Sequence, residues 1–156
     1  MAGIEGESTA DIDAPIERVW DLVADVERAP EWQKGLKSLR ALERDREGRA
    51  TLCESENDAK VRTIKSTVRF NYRPPTELRW EQEEGELKSV EGSWTLADLG
   101  DGRTSANYRV TVDLGFTLSL VIRGPLVGLL RDQLAGARAG ELKAAVESAA
   151  GPGQPV

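Results

Sequence analysis

After residue 35 the chain reads as six strand-like segments joined by five turn signals. The turns are Asp45-Arg46-Glu47-Gly48, Asn57-Asp58-Ala59, Arg73-Pro74-Pro75-Thr76, Glu84-Gly85-Glu86 and Leu99-Gly100-Asp101-Gly102. Gly, Pro, Asn and Asp at such regular spacing predict an antiparallel meander. Alternation within the segments gives each strand two faces. In the clearest one, Ile64, Ser66, Val68, Phe70 and Tyr72 share a face opposite Thr63, Lys65, Thr67, Arg69 and Asn71. Near the end of the meander, Ala106, Tyr108, Val110, Val112 and Leu114 oppose Ser105, Asn107, Arg109, Thr111 and Asp113.

A further strand precedes the meander, because Ile4, Gly6, Ser8, Ala10 and Ile12 alternate with Glu5, Glu7, Thr9, Asp11 and Asp13. Ile16, Val19, Trp20 and Val23 then recur at helical spacing behind Pro15, which predicts an amphipathic helix over 15–25. Ala29-Pro30 breaks that helix, and Glu31-Trp32-Gln33-Lys34 reads as a second short helix ended by Gly35. The chain closes with a helix opened by Gly124-Pro125 and running about 25 residues. Its apolar side is Leu126, Leu130, Leu134, Ala137, Leu142, Ala145 and Val146. Gly128, Gly136 and Gly140 inside it each cost about 1 kcal/mol relative to alanine; close packing against the sheet is the expected offset, with spare pocket volume or a GxxxG dimer seam as the alternatives.

The length of 156 residues fits one domain over 1–150, with a Gly/Pro-rich tail at 151–156 expected to be disordered. With 21 basic and 27 acidic residues the formal charge is −6, which argues against nucleic-acid binding. There is no histidine, which removes the commonest general base and most zinc sites. One cysteine, Cys53, excludes an internal disulfide and a CxxC pair; it reads as a buried, inert thiol. The acids Glu81, Glu83, Glu84 and Glu86 fall on an outer strand face and at a hairpin, so no metal and no cofactor is expected. Neither a signal peptide nor a transmembrane run of about 18 apolar residues is visible, which predicts a cytoplasmic protein.

The order strand, two short helices, six-strand meander, long helix carries a resemblance. So do Ile12-Asp13-Ala14-Pro15-Ile16-Glu17-Arg18-Val19-Trp20 and the following residues through Asp25, then Pro30-Glu31-Trp32, Gly92-Ser93-Trp94 and Asp101-Gly102-Arg103-Thr104. The chain resembles the START / Bet v 1-like (SRPBCC) superfamily, in particular its bacterial polyketide cyclase/dehydrase and lipid-transport branch. The resemblance implies an α+β helix-grip fold: a seven-stranded curved antiparallel sheet wrapped around a long C-terminal helix, with two short helices after the first strand. It also implies a pocket for a hydrophobic or amphipathic molecule. Aromatase/cyclase members carry an inward arginine on the fourth strand, where this sequence has Val68 between outward Lys65 and Arg69.

The inward faces give the expected pocket lining: Ile64, Ser66, Val68, Phe70, Leu78, Trp80, Gln82, Val90, Gly92, Trp94, Ala106, Tyr108 and Val110, with Leu130 and Leu134 from the last helix. Apolar walls with few polar groups suit a small-molecule site, and a filled core is the competing reading. Gly92 either leaves ligand space or, by preference, permits a kink. Tyr108 is the one placed candidate for acid–base chemistry. Glu54 points inward only if Ala50 and Leu52 do; Thr51-Cys53-Ser55 is the other phase. The apolar connector Phe116-Thr117-Leu118-Ser119-Leu120-Val121-Ile122 reads as a strand extension or as an entrance built from Phe116, Leu118 and Leu120, open to transient membrane or protein contact. The leading expectation is a protein that binds or carries a lipid-, polyketide- or isoprenoid-like molecule. A polyketide aromatase/cyclase or dehydratase and a regulatory partner-binding domain are the alternatives.

Overall fold

The computed structural model describes residues 3–59 and 62–149, without the side chains of Gln133, Leu134 and Ala149. The predicted tail lies outside these residues. Seven strands form one antiparallel sheet: β1 (Gly3–Ile12), β2 (Leu36–Arg44), β3 (Ala50–Asp58), β4 (Thr63–Arg73), β5 (Glu77–Gly85), β6 (Ser89–Gly100) and β7 (Arg103–Asp113). The spatial order is β1-β7-β6-β5-β4-β3-β2, so the meander runs unbroken from β2 to β7 and β1 closes onto its last strand. Asp101 and Gly102 join β6 to β7 with φ of 55° and 71°, the left-handed pair that a two-residue hairpin loop requires.

On β4 the alternation is realised as predicted. Ile64, Ser66, Val68 and Phe70 are buried, and Arg69 turns outward to Glu83 and Glu43. On β3 the second phase holds. Cys53 and Ser55 are buried, while Glu54 points out and pairs with Arg40. The β2–β3 register shifts around Leu52 and Ala50, and this bulge lets Ala50 face inward with Cys53 although they lie three positions apart.

Helix α1 (Ile16–Ala24) buries Val19, Trp20 and Val23. The second short helix differs from expectation. It is a 3-10 helix over Val26–Glu31 with Pro30 inside it, and Trp32 to Lys34 form a turn ended by Gly35 at φ 90°. A short i→i+3 helix has few N–H bonds to lose and accepts proline's φ. Thr104, fully buried, donates its hydroxyl to the Ala14 carbonyl at 2.8 Å and pins β7 to the start of α1.

β7 ends at Asp113, so the apolar connector is not a strand extension. It holds helix α2 (Gly115–Ser119) and leads to α3 (Pro125–Arg131). The closing helix is not continuous either. Asp132–Gly136 forms a π-helical turn, with the Ala137 N–H bonded to the Asp132 carbonyl at 3.0 Å, and α4 (Arg138–Ala149) follows.

This C-terminal arm lies on β1. Arg131 Nε donates to the Glu5 carbonyl, the Ala139 N–H to Ser8 Oγ, and Lys143 Nζ to the Asp11 carbonyl, at 3.0, 3.0 and 2.7 Å. The tightest approach is at Gly6, where a Cβ would sit 2.5 Å from the Ala135 Cβ. The helix glycines therefore do not serve close packing: nothing comes within 4 Å of a Cβ placed on Gly128 or Gly140, and Gly136 meets only Asp132.

Candidate functional site

A cavity of about 150 Å³ lies between the inner sheet face and the helices. Its sheet wall includes Ile64, Ser66, Val68, Phe70, Leu78, Trp80, Val90, Trp94, Tyr108 and Val110, as read from the sequence, and Leu130 enters from α3. Three expected residues are absent from the wall. Gln82 turns aside, its side-chain oxygen accepting from Ser66 Oγ and its nitrogen donating to the Leu87 carbonyl at 2.7 Å. Ala106 is buried in the core. Gly92 leaves neither ligand space nor a kink: its register with Trp80 and Val110 is regular, and a Cβ there would land 2.3 Å from the Trp80 indole. Gly92 is the seat on which Trp80 lies. The Leu134 side chain falls outside the described residues.

Rings line one wall. Phe70, Trp80, Tyr108 and Trp94 follow one another with centroids 6.2, 5.5 and 4.8 Å apart, and Trp32 meets Trp94 at 6.2 Å. Tilted and edge-on pairs at these spacings add about 0.5–1.5 kcal/mol each beyond burial, so this wall is held in place before any ligand arrives.

The opposite side was not legible in the pattern. Val23, Val26 and Ala29 from α1 and the 3-10 helix, Leu36 and Leu39 from β2, Ser55 and Asn57 from β3, and Ile122 all line the cavity. The largest surprise is Arg138. Its side chain is 2 % exposed and lines the cavity. Nη1 donates to Glu141 Oε1 at 2.7 Å and to the Lys34 carbonyl at 3.2 Å, and Glu141 Oε2 accepts the Lys34 N–H at 3.0 Å. The guanidinium carbon sits 5.8 Å from the Tyr108 ring centroid. Nε is buried with no hydrogen-bond partner, a condition shared among the described residues only by Trp32 Nε1.

Burial raises the Tyr108 phenol above its ordinary range, while the charge and hydrogen bonding of Arg138 act against that rise and Glu141 adds to it. Burial, aided by Glu27, pushes the Cys53 thiol up to about 11 against the opposing pull of Arg44.

The connector residues are distributed unevenly. Leu118 is 4 % exposed and packs in the core, whereas Phe116, Leu120 and Val121 are 80 %, 50 % and 53 % exposed. None of these touches the cavity; Leu114 and Ile122, at the two ends of the segment, do. Gly115 and Gly124 bracket it with φ of 78° and 64°.

Residues 12–137 match the model of the family described as polyketide cyclase / dehydrase and lipid transport. Among solved structures, the Zhui aromatase/cyclase from a Streptomyces species superposes with a TM-score of 0.79 at 16 % identity, covering 99 % of each chain. A START superfamily protein from Mycobacterium smegmatis gives 0.72 at 19 % identity, covering 89 % of this chain and 97 % of that one. A conserved protein from Geobacillus kaustophilus gives 0.71 at 16 %, covering 94 % and 97 %. These likenesses establish the helix-grip fold. A search of curated proteins returns no match.

Proposed function

We propose that this chain, which belongs to the polyketide cyclase / dehydrase and lipid transport family, binds or carries a hydrophobic, preferably aromatic, small molecule in its internal cavity. One observation carries the reading: a space of about 150 Å³ remains among side chains that are mostly apolar and already braced by their neighbours. An empty apolar space of that size is one that can enclose a benzene ring. The ligand rests on Phe70, Trp80, Trp94, Tyr108, Val68 and Val110, with Ile64, Ser66, Val90 and Leu130 around it.

Binding is favoured over catalysis by two features. The inward position on β4 is Val68, with Arg69 engaged outside by glutamates. The buried Tyr108 phenol holds its proton more tightly than a free one, which makes it a weak acid at neutral pH.

The ligand enters beside α2, where Gly115 and Gly124 absorb the backbone rotation needed to move the segment between them. The exposed Phe116, Leu120 and Val121 offer a greasy rim for transient contact with a lipid surface or a donor protein. Among the described residues no helix is long and apolar enough to cross a membrane, and the reading places the protein in the cytoplasm.

The test uses variants that keep only Trp80 or only Trp94, titrated with one-ring hydrophobes such as ethylbenzene and indane. Emission of both indoles is expected to shift with saturation. Saturable binding, measured by calorimetry, that leaves both emissions unchanged refutes the assignment of the cavity.

A further inference from the structure

We propose that the ligand of this cavity carries one uncharged carbonyl oxygen, and that Arg138 Nε–H is the group that recognises it. The proposal rests on the reading that the cavity binds an apolar molecule, and it adds the polar part of that molecule.

A guanidinium has five N–H bonds in a fixed plane. Arg138 is 2 % exposed, so its N–H groups cannot be satisfied by bulk water. Nη1 is used by Glu141 and the Lys34 carbonyl, and the guanidinium carbon sits 5.8 Å from the Tyr108 ring centroid. Nε is buried and unused. An unsatisfied buried donor is costly, more so on a charged group, and this one belongs to a side chain that lines the cavity. A ligand oxygen is the partner the cavity can admit.

Charge then selects the oxygen. Glu141 lies against Arg138 at 2.7 Å and is itself only 17 % exposed, so the pair entering the cavity wall is already neutral. A carboxylate ligand would leave one net negative charge in an apolar enclosure, which is strongly disfavoured. A ketone or aldehyde oxygen adds no charge. It also adds no hydrogen, unlike a hydroxyl, whose proton would need an acceptor of its own. The cavity volume limits the closed state to a molecule of about one ring. The class is therefore a compact, uncharged, ring-bearing carbonyl compound.

Four probes of nearly one shape separate the options: acetophenone, isopropylbenzene, 1-phenylethanol and benzoate. Their dissociation constants are measured by calorimetry on the wild-type chain, on Arg138→Met/Glu141→Met, which removes both charges together, and on Glu141→Gln, which keeps the guanidinium and removes its counter-charge. Acetophenone is expected to bind the wild type at least about tenfold more tightly than isopropylbenzene, and to lose that advantage in the double variant while isopropylbenzene still binds. In Glu141→Gln, benzoate is expected to gain at least about tenfold. Equal binding of acetophenone and isopropylbenzene by the wild type overturns the carbonyl assignment and leaves the apolar cavity standing. So does a wild-type preference for benzoate or for 1-phenylethanol. Failure of all four probes to bind the wild type overturns the cavity reading itself, and this inference falls with it. Should the double variant fail to fold, Glu141→Gln decides: no gain for benzoate refutes the charge argument.

Discussion

Adding one methyl group to Gly6 tests how the C-terminal arm is held against the sheet. The new Cβ would stand 2.5 Å from the Ala135 Cβ and 3.4 Å from Arg131 Cγ, whereas carbons in contact prefer about 3.5–4.0 Å. Either the arm retreats by about 1 Å or β1 bends, and overpacking of this kind costs about 1–3 kcal/mol. For a chain of this size that is a fall of roughly 3–10 °C in Tm. Ala135→Gly alone loses about 1 kcal/mol of helix propensity. In the double variant Gly6→Ala/Ala135→Gly the methyl has merely changed sides, so the clash is gone and only about the propensity cost remains. Urea unfolding of the four proteins closes the cycle, with an expected coupling of about 1–3 kcal/mol in favour of the double variant. Costs that add within about 0.5 kcal/mol, or a Gly6→Ala protein as stable as the parent, would show that β1 and the arm do not meet as described.

Gly140→Ala should stabilise the protein by up to about 1 kcal/mol, since it sits in α4 with nothing within 4 Å of its new methyl; an unchanged urea midpoint contradicts this. Cys53, raised to about 11 by burial, should resist iodoacetamide at pH 8 in the folded protein and react readily in urea, as followed by mass spectrometry. The same shift has a stability consequence. The unfolded thiol ionises first, near its ordinary value of 9.0, so the unfolded chain holds fewer protons above that pH and stability falls as pH climbs from about 9 to about 11; Cys53→Ala should flatten this slope in pH-resolved unfolding. Hydrogen exchange should show 115–124 opening faster than β4 to β7, and alanine at Gly124, whose φ of 64° favours glycine, should destabilise the closed segment and speed that opening further.

The strands and their inward faces were readable because a period of two assigns each side chain to a face. Ile64 to Phe70 and Ala106 to Val112 therefore fell where the pattern put them. Two errors share one cause, contacts between residues far apart in sequence. Gly92 looked like a kink, but the ring it accommodates belongs to Trp80 on the neighbouring strand. The helix glycines looked like packing sites, but the small residue that permits the approach is Gly6 on β1. Arg138 escaped notice because the π turn inserts one residue and so turns the following helix by about 100°. A straight helix would bury Ala137 with Leu130; the observed one exposes Ala137 and buries Ala135, Arg138 and Ala139. The Asp132-to-Gly136 sequence carries no periodic mark of that insertion. The inward turn of Ala50 was hidden for a related reason, since a bulge at Leu52 reset the phase of β3.

The pairing of β1 with β7 has a consequence for synthesis on the ribosome. Gly3 lies opposite Asp113 and Ile12 opposite Thr104, so of the seven strands of this sheet the first to be synthesised is the last to find its partner. At about 5–20 residues per second, β1 waits roughly 5–20 s while the meander closes hairpin by hairpin behind it. Throughout that interval it is an unpaired edge, the kind of surface on which nascent chains associate wrongly. Its outward residues are Glu5, Glu7, Thr9 and Asp11. In the finished protein Glu7 meets Arg109 and Asn107; before β7 exists, the same row of acids keeps neighbouring copies of β1 apart.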